Sequence, residues 1–281
     1  RRQRQMCIRD RLNENTYFYS LNTVMKYIKF AIGLFWWMST VHGGLSDQFT
    51  LLMKDFPPAT DCAIISGPVE KKLNRGQQGK EWWVSRGVYC FKITIENGHS
   101  HSIEEAMTFV SRLPEVYMPG LEIVSDAKEN GFALYKDIGG AAGHGGRTYC
   151  NMIGLHIGVL LHELGHAIEQ EVRHVAPDLL ERWLTEGVNG DKVSVSAYGN
   201  SNHWEDMAEF GKTFAICLKT DQLAELKKLS PNRFRIWRDC LVQVNTNLRP
   251  SHDPPGFSPP VNAVPAIVPL TNKQSIPQKL K

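Results

Sequence analysis

The chain has 281 residues, 42% of them hydrophobic and 22% charged, with a formal net charge of +3. That is enough apolar material for one sizeable core or two small ones, so the chain reads as globular. Its basic residues are scattered rather than gathered into a stripe, apart from the extreme N-terminus, which argues against a nucleic-acid partner.

Residues 1–24, which include "MCIRDR", read as a non-native leader, the alternative being a disordered basic one. Met25 opens a better start. Two lysines, an apolar stretch of roughly ten residues from Phe30 and small residues near its end predict a signal peptide over 25–43. Cleavage is expected near Gly43 or Gly44, which makes the product secreted, extracellular or periplasmic. The apolar stretch is short for a bilayer span, so membrane attachment is expected only if this segment stays uncleaved. Beyond Cys7 there are Cys62, Cys90, Cys150, Cys217 and Cys240, without CxxC spacing. Cys62 with Cys90 and Cys217 with Cys240 are conceivable disulfides, leaving Cys150 single; equally, all five are small buried hydrophobes.

Residues 44–100 form a β-rich region, with strand-like runs in "CAIIS" and "WWVSRGVYCFKITI" either side of a Gly- and Lys-rich stretch. Ser102 followed by Glu105 is a capping-box pattern, and Ile103, Ala106, Met107 and Val110 recur at helical spacing until Pro114. His99 and His101, just before that cap, read as exposed loop residues. "LEIVSD", "GFALYKD" and "TYCNMI" predict short strands, and "IGGAAGHGGR" a flexible glycine loop in which His144 is exposed. That loop lacks a phosphate-binding pattern. Four helical stretches follow from Leu155, the last broken at Pro231. The final 32 residues hold eight prolines, so 249–281 is expected to be an extended, disordered tail.

The chemistry concentrates in "GVLLHELGHAIEQ". Four residues apart on a helix, His162 and His166 lie one above the other and can reach one ion. Glu163 stands about 100° round from His162, beside such an ion, where it can take a proton from a metal-bound water. The apolar neighbours Val159, Leu160, Leu161, Leu164 and Ile168 imply a largely buried helix. Burying these polar groups costs free energy unless they have partners, which a metal would supply. The bland reading is two satisfied core histidines.

The third ligand decides the subclass. A metzincin needs HExxHxxGxxH, and Glu169 and Val172 stand where the glycine and last histidine belong. His174 would need a bend in the helix to join. In "SAYGNSNHWEDMAEFGKTF", Glu205 and Glu209 are four apart and share a face. One can bind the ion while the other hydrogen-bonds the back of a ligand histidine.

HExxH followed by Tyr198, Glu205 and Glu209 resembles the zinc endopeptidases that include the catalytic domain of anthrax lethal factor and the secreted Pro-Pro endopeptidases. Their pattern is HExxH…Y-x6-E-x-F-A-E, with Met207 here in place of the phenylalanine. "HGGRTYCNMI" is similar to their glycine-led edge strand, and the likeness covers about residues 102–246. It implies an α+β, zincin-like fold for 101–248, a zinc metallopeptidase domain in which a small sheet packs on the active-site helix and a helical C-terminal half supplies Glu205. The implied ion is Zn2+, held by His162, His166 and Glu205. Glu163 is then the general base, Tyr198 the oxyanion donor with His203 as competitor, and Glu209 the support of a ligand histidine; Asp206 caps or faces solvent. The substrate is a peptide or protein and the enzyme a monomer. Family members of the Pro-Pro type cleave between prolines, but Trp204 replaces a polar residue, and the tail's own Pro259–Pro260 bond is a conceivable target. The alternatives are a catalytically inactive zinc-binding protein and a zinc amidase acting on cell-wall peptides.

Overall fold

The structure, a computed structural model, describes residues 44–59, 61–126 and 130–247. The expected leader, signal segment and proline-rich tail lie outside them. Among the described residues no helix is long and apolar enough to cross a membrane.

A six-stranded sheet carries helices on one face, a mixed α and β fold. In chain order come α1 (Leu45–Thr50), β1 (Cys62–Lys72), β2 (Gln78–Arg86), β3 (Tyr89–Glu96), α2 (Ile103–Val110) and α3 (Met118–Asp126). Then follow β4 (Phe132–Leu134), β5 (Gly143–Gly146), β6 (Tyr149–Met152), α4 (Ile157–Val175) and α5 (Asp178–Arg182). A π-helical turn, Trp183–Val188, continues α5 into α6 (Asn189–Asp191), and α7 (His203–Lys219), α8 (Leu223–Leu229) and α9 (Pro231–Asn247) complete the chain.

The strand order is β1-β2-β3-β4-β6-β5. β1, β2 and β3 are an antiparallel meander, whereas β3–β4 and β4–β6 are parallel and β6–β5 is antiparallel. The β3–β4 pairing therefore carries one sheet across the 100/101 boundary. Period-two alternation sends Phe91 and Ile93 of β3, Phe132 and Leu134 of β4, and Cys150 and Met152 of β6 into the main core beneath the helices. The opposite face holds a smaller cluster of Leu73, Ala133, Tyr135 and Ile138.

The Ser102–Glu105 capping box closes reciprocally: Glu105 N–H donates to Ser102 Oγ at 3.2 Å and Ser102 N–H to Glu105 Oε2 at 2.9 Å. Pro231 begins α9. "LEIVSD", expected as a strand, is instead most of α3. Met118, Leu121 and Val124 recur every third residue and are buried, a helical period that the adjacent Ile123–Val124 pair hides in a short window. Two of its side chains serve β3 where no strand does: Glu122 accepts from Cys90 N–H and Ser125 Oγ from Lys92 N–H.

The run "WWVSRGVYCFKITI" is two strands, turned at Gly87, whose φ of 59° lies in the left-handed region that favours glycine. The glycine loop contains β5, so His144 is half-buried on an edge strand rather than exposed in a loop, and His99 and His101 are also half-buried. All five described cysteines are free thiols. Cys62 and Cys90 pair with Arg86 and Ser85 on opposite sides of β2. Two strand spacings, about 9–10 Å, exceed what a disulfide spans. Cys150, Cys217 and Cys240 are buried, which suits them as small hydrophobes.

Candidate metal centre

The periodicity of α4 places Leu160, Leu161, Leu164, Ala167, Ile168 and Val172 in the core, with His162 and Glu163 buried beside them. The helix packs side by side with α7, and Gly165 makes that approach close: a Cβ there would lie 2.9 Å from Ala208 Cα. α7 starts at a cap, Asn202, whose side-chain oxygen accepts from Trp204 N–H at 3.0 Å and Glu205 N–H at 3.1 Å. The cap and the close helix contact aim Glu205 at the two histidines.

His162 Nε2, His166 Nε2 and Glu205 Oε2 form a nearly equilateral triangle. Nε2 to Nε2 is 3.1 Å, and the carboxylate oxygen lies 3.1 and 3.2 Å from the two nitrogens. Tetrahedral neighbours of one ion at about 2.0–2.1 Å stand roughly 3.3 Å apart, so the triangle matches an ion's coordination face. Glu205 Oε2 is shielded from solvent and, despite these short distances, receives no bond of hydrogen-bond geometry. An orphaned, buried carboxylate oxygen between two ring nitrogens asks for a cation. These three residues could hold a metal ion, and they are the group of that kind among the described residues.

The electrostatics agree. Burial alone would lower the His162 pKa, yet the Glu205 and Glu209 carboxylates push it up to about 9. Burial alone would raise that of Glu205, yet the facing imidazoles hold it well below the usual carboxylate range. Both shifts describe a site that concentrates negative charge around a positive centre. Behind His162, Nδ1 lies 2.9 Å from Glu209 Oε1. An ionised carboxylate only accepts, so Nδ1 carries a proton, and a cation that displaced the Nε2 proton would meet that nitrogen's lone pair in the triangle.

Glu163, 6% exposed, does not join the triangle. It packs against β5, where a Cβ on Gly143 would lie 2.7 Å from its Oε1 and one on Gly145 would lie 2.7 Å from its Cα. Only glycine fits there, which explains the sequence of that strand. Burial raises the Glu163 pKa, against the pull of His162 and His166. Tyr198 is 41% exposed, its ring centroid 5.6 Å from that of His162. The His203 ring lies tilted against Trp204, with centroids 3.6 Å apart, and the Arg173 guanidinium lies 4.0 Å from the Trp204 ring, an aromatic and cationic cluster where α7 begins.

Asp206 neither caps α7 nor faces solvent. It is 4% exposed and accepts two bonds of 2.9 Å from the Arg233 guanidinium and one of 2.9 Å from Trp183 Nε1. One residue after Glu205, a helix turns 100°, so the two acids point to different surroundings. Two further residues belong to the arrangement. Lys212 donates to both oxygens of Glu209, at 2.6 and 2.8 Å, and its i,i+3 spacing from Glu209 was the signal available in the sequence. Arg233, 27 positions from Asp206, left none. Comparison with protein-family models, curated proteins and solved structures finds no match to this chain.

Proposed function

We propose that the chain is a zinc-dependent endopeptidase whose ion is held by His162, His166 and Glu205. The observation that carries this reading is the triangle of candidate ligand atoms with 3.1–3.2 Å edges, two of whose corners stand on the same helix as the buried Glu163. Two imidazoles and one carboxylate suit zinc, and three protein ligands leave a fourth position open, as catalytic sites do. When bound, zinc supplies Lewis-acid polarisation of a water and of a carbonyl group.

The chain's own groups account for the rest of the chemistry. Glu163 takes the proton of the attacking water and hands it to the leaving amine, a task for which a carboxyl pKa raised by burial is suited. The exposed Tyr198 hydroxyl donates to the carbonyl oxygen as negative charge develops there. Glu209, gripped by Lys212, keeps the His162 ring in its ligating tautomer. β5 is a sheet edge beside α4, and an extended peptide can pair with such an edge. A sheet on the histidine helix with this edge strand supports a zincin-like reading of the fold. Together with Tyr198, Glu205 and Glu209, it supports kinship with the lethal-factor and Pro-Pro endopeptidases. Export by the 25–43 segment would put the substrate, a peptide or protein, outside the cytoplasm.

Glu163→Gln is expected to bind zinc stoichiometrically and to lose cleavage of a peptide library that the parent protein hydrolyses. Retained cleavage refutes the general-base role. A parent protein that takes up no zinc refutes the whole reading.

A further inference from the structure

Tyr198 has a precise task under the reading above, and the placement of its side chain starts from the placement of its backbone. That backbone belongs to a turn with two walls. On one side, Gly199 packs on α7, where an added Cβ would sit 3.3 Å from Asp206 Cα and 3.5 Å from Glu209 Cβ. On the other side lies the start of α1. Leu45 N–H donates to Ser194 O at 3.0 Å and Ser46 N–H to Val195 O at 2.7 Å. Within the turn, Gly199 N–H donates to Ser196 Oγ at 2.8 Å, Asn200 N–H to Ser196 O at 3.1 Å, and Ser201 N–H to Tyr198 O at 3.0 Å.

We propose that Gly44 to Ser46 are positioning residues for Tyr198, fixing the Ser194–Ser201 turn through the backbone; the catalytic consequence rests on the endopeptidase reading. Gly44 is the point of closest fit. A Cβ there would meet the carbonyl oxygen of Val195 and lie 2.6 Å from Ser196 Cα, backbone atoms that cannot swing aside. Gly44 is anchored in turn: its N–H donates to Asp47 Oδ2 at 2.9 Å, and Leu45 and Phe49 are buried in the main core. The segment thus ties the turn to the core and contributes none of the three candidate ligand residues, the first of which, His162, lies 118 positions after Gly44.

The test uses the full chain loaded with zinc, and two variants. Gly44→Ala pushes on the turn directly; Asp47→Ala only releases the Gly44 N–H and leaves the packed residues alone, so it remains informative if the first variant folds poorly. Hydrogen exchange should quicken roughly tenfold or more across 194–201 while 157–175 keeps its protection. Zinc affinity, from competition with a chelator, should stay within about twofold, because the ligand set is untouched. With a cleaved peptide, kcat should fall roughly tenfold or more, since small misplacements of a positioned group are costly. In a Tyr198→Phe background the same change should cost almost nothing further, as expected of groups that act as one unit. Unchanged exchange at 194–201, equal loosening of 157–175, or a full additional loss in the Tyr198→Phe background overturns the proposal. Absence of all peptide cleavage by the parent protein would instead defeat the endopeptidase reading, and the exchange result would still decide the positioning role.

Discussion

At the scale of single residues, α7 aims one acid at the two histidines and makes its neighbour a structural charge. Asp206 and Arg233 are both nearly inaccessible and fully paired, so removing one partner strands the other in a low-dielectric interior. Asp206→Ala should therefore cost roughly 3–5 kcal/mol in urea unfolding, more than a surface acid, with the change in the midpoint rather than in the slope. A loss below about 1 kcal/mol would show that the pair is dispensable. Tyr198→Phe removes only a hydroxyl from an exposed ring. Under the proposed reading it should lower kcat by roughly 10²–10³ and leave zinc content unchanged, the signature of a donor used in the transition state. His162, His166 and the Glu205–Glu209 pair were legible because their spacing within helices is local, whereas the choice of Glu205 over Glu209 came from the family pattern. The environment of Asp206 was not, because its partners come from Trp183 and Arg233 and nothing near position 206 announces them.

At the scale of elements, helices with caps or a sustained 3.6-residue period were readable: α2 from its capping box, α4 from its apolar face, α9 from Pro231. Short apolar stretches were not. Residues 121–126 carry strand-forming neighbours, and only the partners that α3 finds on β3 decide in favour of helix. The opposite failure occurs at β5, whose glycines look like a flexible loop until the closeness of α4 is known. Because the atoms facing Gly145 include the backbone of Glu163, Gly145→Ala should destabilise the protein by roughly 1–3 kcal/mol. Under the proposed reading it should also lower cleavage by displacing Glu163 or the β5 edge. Thermal unfolding and kcat measured together check this, and a neutral result in both would refute the tight apposition of β5 and α4.

At the scale of the whole molecule, the sheet joins the N-terminal meander to the strands beside the site, and α1 reaches back to the turn before α7. No sequence window contains those contacts, which is why the role of residues 45–98 could not be read from the chain alone. A cation bound only by the folded state adds RT ln(1 + [L]/Kd), so zinc at 100 times its Kd should contribute about 2.7 kcal/mol and raise the midpoint of thermal unfolding. A chelator should reverse the rise, and His166→Ala should abolish it; an equal rise in that variant would place the binding elsewhere.

His162 and Glu209 are 47 positions apart and stand on different helices. An isolated peptide of residues 157–175 would carry only two of the three candidate donors and nothing to hold the His162 tautomer, so under the proposed reading ion capture would belong to the closed core rather than to the HELGH segment. During refolding, uptake of the cation should consequently follow the docking of α7 on α4 and serve as a clock for the last long-range step of assembly.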